Sequence, residues 1–239
     1  QKKTEIDVLY SEVEENIRKN REVVQSVISK YMRGDILKSI ELLNQWWDKN
    51  KEQGFPYAYV HTGAKYYKTR MKGDKVFKEL DLFHVPFDQR GSVTTKRYSI
   101  PGYPCLYLGK SIYVCWEEMK RPALSSFATS AFKAQEDIEL LDLRLRKRMH
   151  SAEECRAFLK MLPIILASSL CVANEKDNFK PEYILPQLLL HIVVVSNQNL
   201  KASDEEENKV QKIGGIQYTS TVANDELEFV STNSNSTYN

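Results

Sequence analysis

Arg97-Tyr98-Ser99-Ile100-Pro101-Gly102-Tyr103-Pro104-Cys105-Leu106-Tyr107-Leu108-Gly109-Lys110-Ser111-Ile112-Tyr113-Val114-Cys115-Trp116-Glu117-Glu118 packs a guanidinium, several phenols, hydroxyls and two carboxylates into one short stretch. Pro101-Gly102 marks a turn. Cys105 to Leu108 is a short apolar and aromatic run of strand type. Gly109-Lys110-Ser111 breaks it, with Ser111 placed to cap a helix. Ile112 to Met119 lacks Gly and Pro and reads as that helix. The order predicts a strand–turn–helix with Glu118 at the far end of the helix that Ser111 opens. Arg97 precedes the strand that delivers Tyr107, so such a unit gathers three distant side chains around one small ligand.

Upstream, residues 1–53 read as helical. Ile6, Leu9, Tyr10, Val13 and Ile17 recur at spacings of three and four, and Val23, Val24, Val27, Ile28 and Tyr31 continue the pattern. Gly34-Asp35 breaks it, and a further helix from Ile36 to Asn50 carries Ile40, Leu43 and Trp47 on one face. Trp46-Trp47 is expected in a core. Tyr57 to Val60 and Lys65 to Arg70 are strand-like. Lys68 and Arg70 share one strand face, suited to a phosphate or pyrophosphate or, equally, to edge protection. His84 has no second His or carboxylate at metal spacing and is read as structural. Gly102 and Gly109 are too far apart for a phosphate-binding P-loop, and no G-x-G-x-x-G is present.

Downstream, Arg121 to Thr129 reads as a loop and Ile138 to Leu143 as a strand. The basic run Arg144 to Arg148 reads as a solvated helix face. Residues 152–173 read as a buried helix bent at Pro163. Residues 181–195 begin helical and end β-branched, which leaves the helix–strand boundary open. Residues 196–212 are polar and acidic and read as a surface loop. Gly214-Gly215 leads into a short strand, Ile216 to Thr221, rich in hydroxyls. The remainder reads as a polar, flexible tail.

A chain of 239 residues, 42% hydrophobic and 28% charged, can bury a core. Its net charge of +2 gives no field that argues for direct nucleic-acid binding. The longest apolar runs are too short or interrupted to span a bilayer. The charged first residues have no signal-peptide pattern, and the missing initiator Met leads to the expectation of a natural N-terminus upstream. Cys105, Cys115, Cys155 and Cys171 lack metal-ligand spacing and read as reduced thiols. The expectation is a cytoplasmic protein with no metal and no membrane segment.

Three fragments in order, Tyr66-Tyr67-Lys68-Thr69-Arg70, the block from Arg97 through Tyr107 to Glu118, and Gly215-Ile216-Gln217-Tyr218-Thr219-Ser220, resemble the RES domain family. The resemblance covers roughly residues 57–222. It implies an α+β, ADP-ribosyltransferase-like mixed β core with flanking helices, plus a helical N-terminal extension. The implied organisation is 1–55 as the extension, 56–222 as the NAD-binding catalytic domain and 223–239 as the tail. The family is known for toxins of bacterial toxin–antitoxin pairs that destroy NAD, usually beside a helix-turn-helix antitoxin; oligomeric state is left open.

Carried over residue by residue, Arg97, Tyr98 and Tyr107 match the "R-[WY]-x-x-x-G-x-P-x-L-Y" pattern. Glu118 matches the glutamate, with Glu117 one position short, and Ser220 matches the serine of "G-I-x-Y-x-S". Lys68 stands where related sequences often carry Arg, and lysine cannot form a bidentate fork; Arg70 is the residue that would cover the loss. The implied reaction is hydrolysis or phosphorolysis of the nicotinamide–ribose bond of NAD+. Glu118 would stabilise the cationic ribose, Arg97 with Arg70 or Lys68 would hold the pyrophosphate, Tyr107 would meet the nicotinamide ring, and Ser220 would orient nicotinamide or ribose. The alternatives are an ADP-ribosyltransferase and, favoured by Lys68, a catalytically weak interaction module.

Overall fold

The computed structural model describes residues 5–51, 54–73, 77–146, 148–202, 212–221 and 228–232. The chain is α+β and divides into two units, 1–56 with 145–189, and 57–144 with 190–239.

The first unit is helical. α1 (Glu5–Met32) packs against α2 (Ile36–Lys51) and α4 (Ala152–Ser168). Gly34, at φ +82°, takes the left-handed conformation that reverses the chain between α1 and α2. The expected apolar faces supply the core: Val24, Val27, Leu43, Trp46 and Trp47 are buried together with Met161, Ile164 and Ile165. Asn20 and Trp46 are paired inside this core. The Trp46 indole donates to Asn20 Oδ1 at 2.8 Å, and Asn20 Nδ2 donates to the Lys160 carbonyl at 2.6 Å. The helical part is therefore more than an N-terminal extension, because residues 145–189 complete it. The described residues of the run Arg144 to Arg148 do not form the expected helix. Arg144 instead folds back onto the buried Asp142, with Nη2 to Oδ2 at 2.6 Å, and Arg146 pairs with Glu154.

The second unit is one open mixed sheet. Its strands are β1 (Tyr57–Val60), β2 (Lys65–Met71), β3 (Leu106–Gly109), β4 (Phe127–Lys133), β5 (Ile138–Leu143), β6 (Ile213–Thr219) and β7 (Glu228–Thr232), in the order β1-β5-β6-β7-β3-β2-β4. The β5–β6 pair is parallel and all others are antiparallel. A parallel pair requires a long crossover; here it runs through α4 and α5 (Ile184–Ala202). The second half of α5 is tied to β6: Asn197 Nδ2 donates to the Ile213 carbonyl at 2.7 Å, and the Ile213 N–H returns to Asn197 Oδ1 at 3.2 Å.

Further expectations change. The loop reading after Arg121 hides β4, which forms one sheet edge. The boundary left open in 181–195 resolves as helix, and α5 continues to Ala202 into the stretch read as a surface loop. Within the stretch read as a tail, β7 lies between β3 and β6. The acidic run Ser203 to Asn208 and residues 222–227 and 233–239 lie outside the described residues.

Register assigns the two sheet faces, since directly paired residues project to the same side. Ala58, Val60, Tyr66, Leu106, Leu108 and Leu140 form a core on one face. The other face carries Leu141 and Leu143 opposite Ile216 and Tyr218. It also carries Tyr107, which reaches Ile216 through Ser231 in the backbone ladder. Among the described residues no helix is long and apolar enough to cross a membrane.

Candidate active site

The Arg97–Glu118 block folds as its chemistry dictates. Lys96 and Ser99 exchange backbone hydrogen bonds at 2.9 and 3.1 Å, so Arg97 and Tyr98 occupy the tip of a tight reversal. Pro101-Gly102 fills the next turn, with Gly102 at φ +79° and the Tyr103 N–H donating to the Ile100 carbonyl at 3.1 Å. β3 follows. Ser111 then caps α3 (Ile112–Glu118), its Oγ accepting from the Val114 N–H at 3.2 Å. Gly109 has a packing reason: a Cβ there would sit 2.7 Å from Cys115 Sγ. Its absence lets α3 fold back against β2 and β3, where the Cys115 thiol donates to the Tyr67 carbonyl at 3.2 Å.

Directly after Glu118 the helix stops on two left-handed residues, Lys120 (φ 64°) and Arg121 (φ 56°). The Arg121 N–H returns to the Trp116 carbonyl at 3.0 Å and the Lys120 N–H to that of Glu117 at 2.8 Å, the double bond pattern of a Schellman cap. The two adjacent glutamates consequently part company. Glu117, 5% exposed, accepts from Arg121 Nε at 2.9 Å, and the Tyr113 hydroxyl and Arg121 hold its carboxyl below the usual range. Glu118 accepts a hydrogen bond from the Ser220 hydroxyl, which arrives just past the end of β6.

Around this pair, Arg97 is buried at 8% exposure, and its Nη2 donates to Thr221 Oγ1 at 3.0 Å. The Tyr98 N–H donates to the Tyr107 hydroxyl at 3.2 Å, fixing that phenol from the backbone. The rings of Tyr98 and Tyr218 lie 4.6 Å apart. Tyr98 is 1% exposed, and its own hydroxyl finds no partner among the described residues. The electrostatics follow from burial. Desolvation raises the Glu118 carboxyl above the ordinary carboxylate range, against the opposing pull of the Ser220 hydrogen bond and the Arg97 charge. Burial likewise pushes the phenols of Tyr98, Tyr107 and Tyr218 well up, so all three stay neutral.

Arg97, Tyr98, Tyr107, Glu118 and Ser220 thus come together. Lys68 and Arg70 do not join them. The pairing of Tyr67 with Gly109 puts Tyr67 and Thr69 on the Tyr107 face and turns Lys68 and Arg70 to the opposite one. There Lys68 Nζ donates to the Phe83 carbonyl at 2.8 Å and Arg70 Nη1 to the Asp81 carbonyl at 2.6 Å. Burial, helped by the Arg70 charge, lowers the Lys68 amine to about 8.

Two residues of the cluster escaped the sequence reading. Tyr218 lies inside the element that carries Ser220. Thr221 is flagged only by its adjacency to Ser220. His84 Nδ1 lies 2.8 Å from the Val85 carbonyl, among the rings of Phe83 and Phe87. Among the described residues no group of three or more His, Cys, Asp or Glu side chains could hold a metal ion.

Over 152 residues the chain is 40% identical to a Bacillus subtilis (strain 168) protein described as "Putative toxin YopC". The match takes in 56% of this chain and 34% of that protein, so the chain spans about a third of the relative's length. No protein-family model matches the chain, and no solved structure does.

Proposed function

We propose that this chain is a toxin-type enzyme that cleaves the nicotinamide–ribose bond of NAD+, with water or phosphate as acceptor. The observation that carries the reading is the meeting of Glu118 with Ser220, 102 residues away, beside Arg97 and three phenols. Similarity to a bacterial protein described as a toxin supports the toxin part. The resemblance of the three sequence fragments supports NAD as the substrate.

In this reading the C1′–N bond breaks heterolytically. Its electron pair stays on the nicotinamide nitrogen and cancels the ring charge, so the leaving group needs no proton. Positive charge develops on the ribose, as in glycoside hydrolysis. The Glu118 carboxylate stabilises it and accepts from a ribose hydroxyl. Water then bonds to C1′ and releases a proton; with phosphate as acceptor, a phosphate oxygen forms that bond. Arg97 binds the diphosphate by charge-assisted hydrogen bonds. Tyr107 meets the pyridinium ring while it is still cationic. Ser220 exchanges its bond to Glu118 for one to substrate. Lys68 and Arg70 face away from this cluster, so the lysine touches none of its parts, and the feature that favoured a weak interaction module loses its force.

The test incubates the purified chain with NAD+ and follows free nicotinamide, beside Glu118→Gln and Glu117→Gln. The expected result is a loss of about a hundredfold in Glu118→Gln, with Glu117→Gln retaining turnover when folded. Wild-type protein that is folded yet releases no nicotinamide sinks the proposal. Transfer of labelled ADP-ribose to protein would instead select the ADP-ribosyltransferase reading.

A further inference from the structure

At 7 residues α3 is too short to hold itself together, and Glu118 is the last of them. Its first turn is fixed by the Ser111 cap and by the bond from Cys115 to Tyr67. Its last turn has to be held against the backbone that follows. Lys120 and Arg121 both lie in the left-handed region, where a side chain is costly and glycine is not.

Trp116 grips that strained exit at three points. Its carbonyl accepts from the Arg121 N–H at 3.0 Å. Its indole Nε1–H donates to the Pro122 carbonyl at 2.8 Å, reaching across the left-handed pair. Its ring lies under the Arg121 guanidinium, with Cζ 5.9 Å from the ring centre. Arg121 in turn holds Glu117 through Nε at 2.9 Å. The indole is backed by the Tyr113 ring, 5.8 Å away. Residues two apart on a helix do not face each other, so Trp116 reaches Glu118 through the backbone they share.

We infer that Trp116 is a positioning residue for Glu118: it clamps the strained exit of α3 and so keeps the last turn, and the carboxylate on it, facing Ser220. The consequence for turnover rests on the NAD reading, and the clamp rests on the geometry alone. Trp116→Phe keeps an aromatic ring and deletes the Nε1–H donor. Lys120→Gly removes one of the two strained side chains, so the exit closes with less help. If Trp116 acts through this exit, the glycine compensates for the lost donor. If the indole is only packing, it does not.

Two measurements on the full chain decide it, both at a temperature where every variant is fully folded. In the first, nicotinamide release from NAD+ is followed. Trp116→Phe is expected to lower kcat about tenfold with KM changed less than about twofold, and Lys120→Gly added to it to recover most of the loss. An unchanged kcat, or a loss that the glycine leaves untouched, overturns the inference. The second needs no turnover: the Glu118 carboxyl is titrated by carbon NMR. Burial holds its pKa up, so a frayed last turn admits water and moves it down toward the ordinary glutamate value. That shift is expected in Trp116→Phe and is expected to reverse when Lys120→Gly is added; an unmoved pKa in Trp116→Phe overturns the clamp. Should that variant not fold, 3-benzothienylalanine in place of Trp116 keeps the bicyclic shape without the N–H and carries the same expectations. Should wild-type protein release no nicotinamide, the NAD reading fails by itself and the titration still decides what Trp116 does.

Discussion

Glu118 is asked to be ionised in a place that disfavours ionisation. Burial raises its pKa, and the Ser220 bond and Arg97 charge only partly oppose this. If the carboxylate form is the active one, the acid limb of kcat/KM lies above the ordinary glutamate value of about 4.3; a pH–rate profile with its limb at or below that value would contradict the assignment. Stability has the opposite sign. With the folded-state pKa above the unfolded one, the folded chain binds the proton more tightly, gains stability as pH falls through that pKa, and bears a cost above it. Glu118→Gln keeps an acceptor for Ser220 without the charge. It is expected to raise Tm at neutral pH while turnover falls about a hundredfold, with the Tm difference shrinking on acidification, as calorimetry at two pH values would show. Glu117 behaves differently because its carboxyl is held low by Tyr113 and Arg121. Its substitution is expected to loosen the end of α3 and lower Tm at neutral pH.

At the scale of the element, α3 is a short helix aimed by its two ends. A methyl group at Gly109 would collide with Cys115, so Gly109→Ala is expected to lift α3 from β3 and cost about 1–3 kcal/mol. Activity should fall further than stability does, and Cys115→Ala in the same chain should recover part of both. Lys120 holds a left-handed conformation where such caps usually carry glycine. Lys120→Gly is expected to stabilise the fold by about 1 kcal/mol in chemical denaturation with activity retained.

The ends of α3 were legible because they are local: a serine cap, a breaking glycine and a run without Gly or Pro. What was not legible depends on partners remote in sequence. β4 has a small and hydroxylated centre, Ala128 to Ala131, and β7 lies in a polar, Ser- and Asn-rich stretch; both are strands because of what they pair with. Strand alternation alone places Lys68 and Arg70 on one face. Only the pairing of Tyr67 with Gly109 says which face that is. Within α5, continuous helical hydrogen bonding overrides the strand preference of Ile192 to Val195.

On the scale of the whole molecule, the sheet unit is interrupted in sequence by the helical residues 145–189. Arg97, Tyr107 and Glu118 precede the interruption, while Tyr218, Ser220 and Thr221 follow it. The composition change at Gly54-Phe55-Pro56 made the first boundary visible. Nothing in the spacing or charge of 145–189 signals that these helices belong with the first two. β6 and β7 are interior strands of the sheet. A chain ended at residue 212 loses both and leaves β5 and β3 without neighbours on that side. It is expected to show no cooperative thermal transition by circular dichroism, and a sharp native-like transition would mean that the sheet does not depend on them.

This order of assembly has a consequence for synthesis. Translation delivers the guanidinium and the acid long before the hydroxyls that hold them, and the hydroxyls come last. A growing polypeptide therefore has a half-built pocket until Ser220 and Thr221 have been added and have emerged, and so does one released by a premature stop codon ahead of Ser220. Whatever the finished pocket does to the cell that makes it, that cell is spared until the message has been read almost to this point.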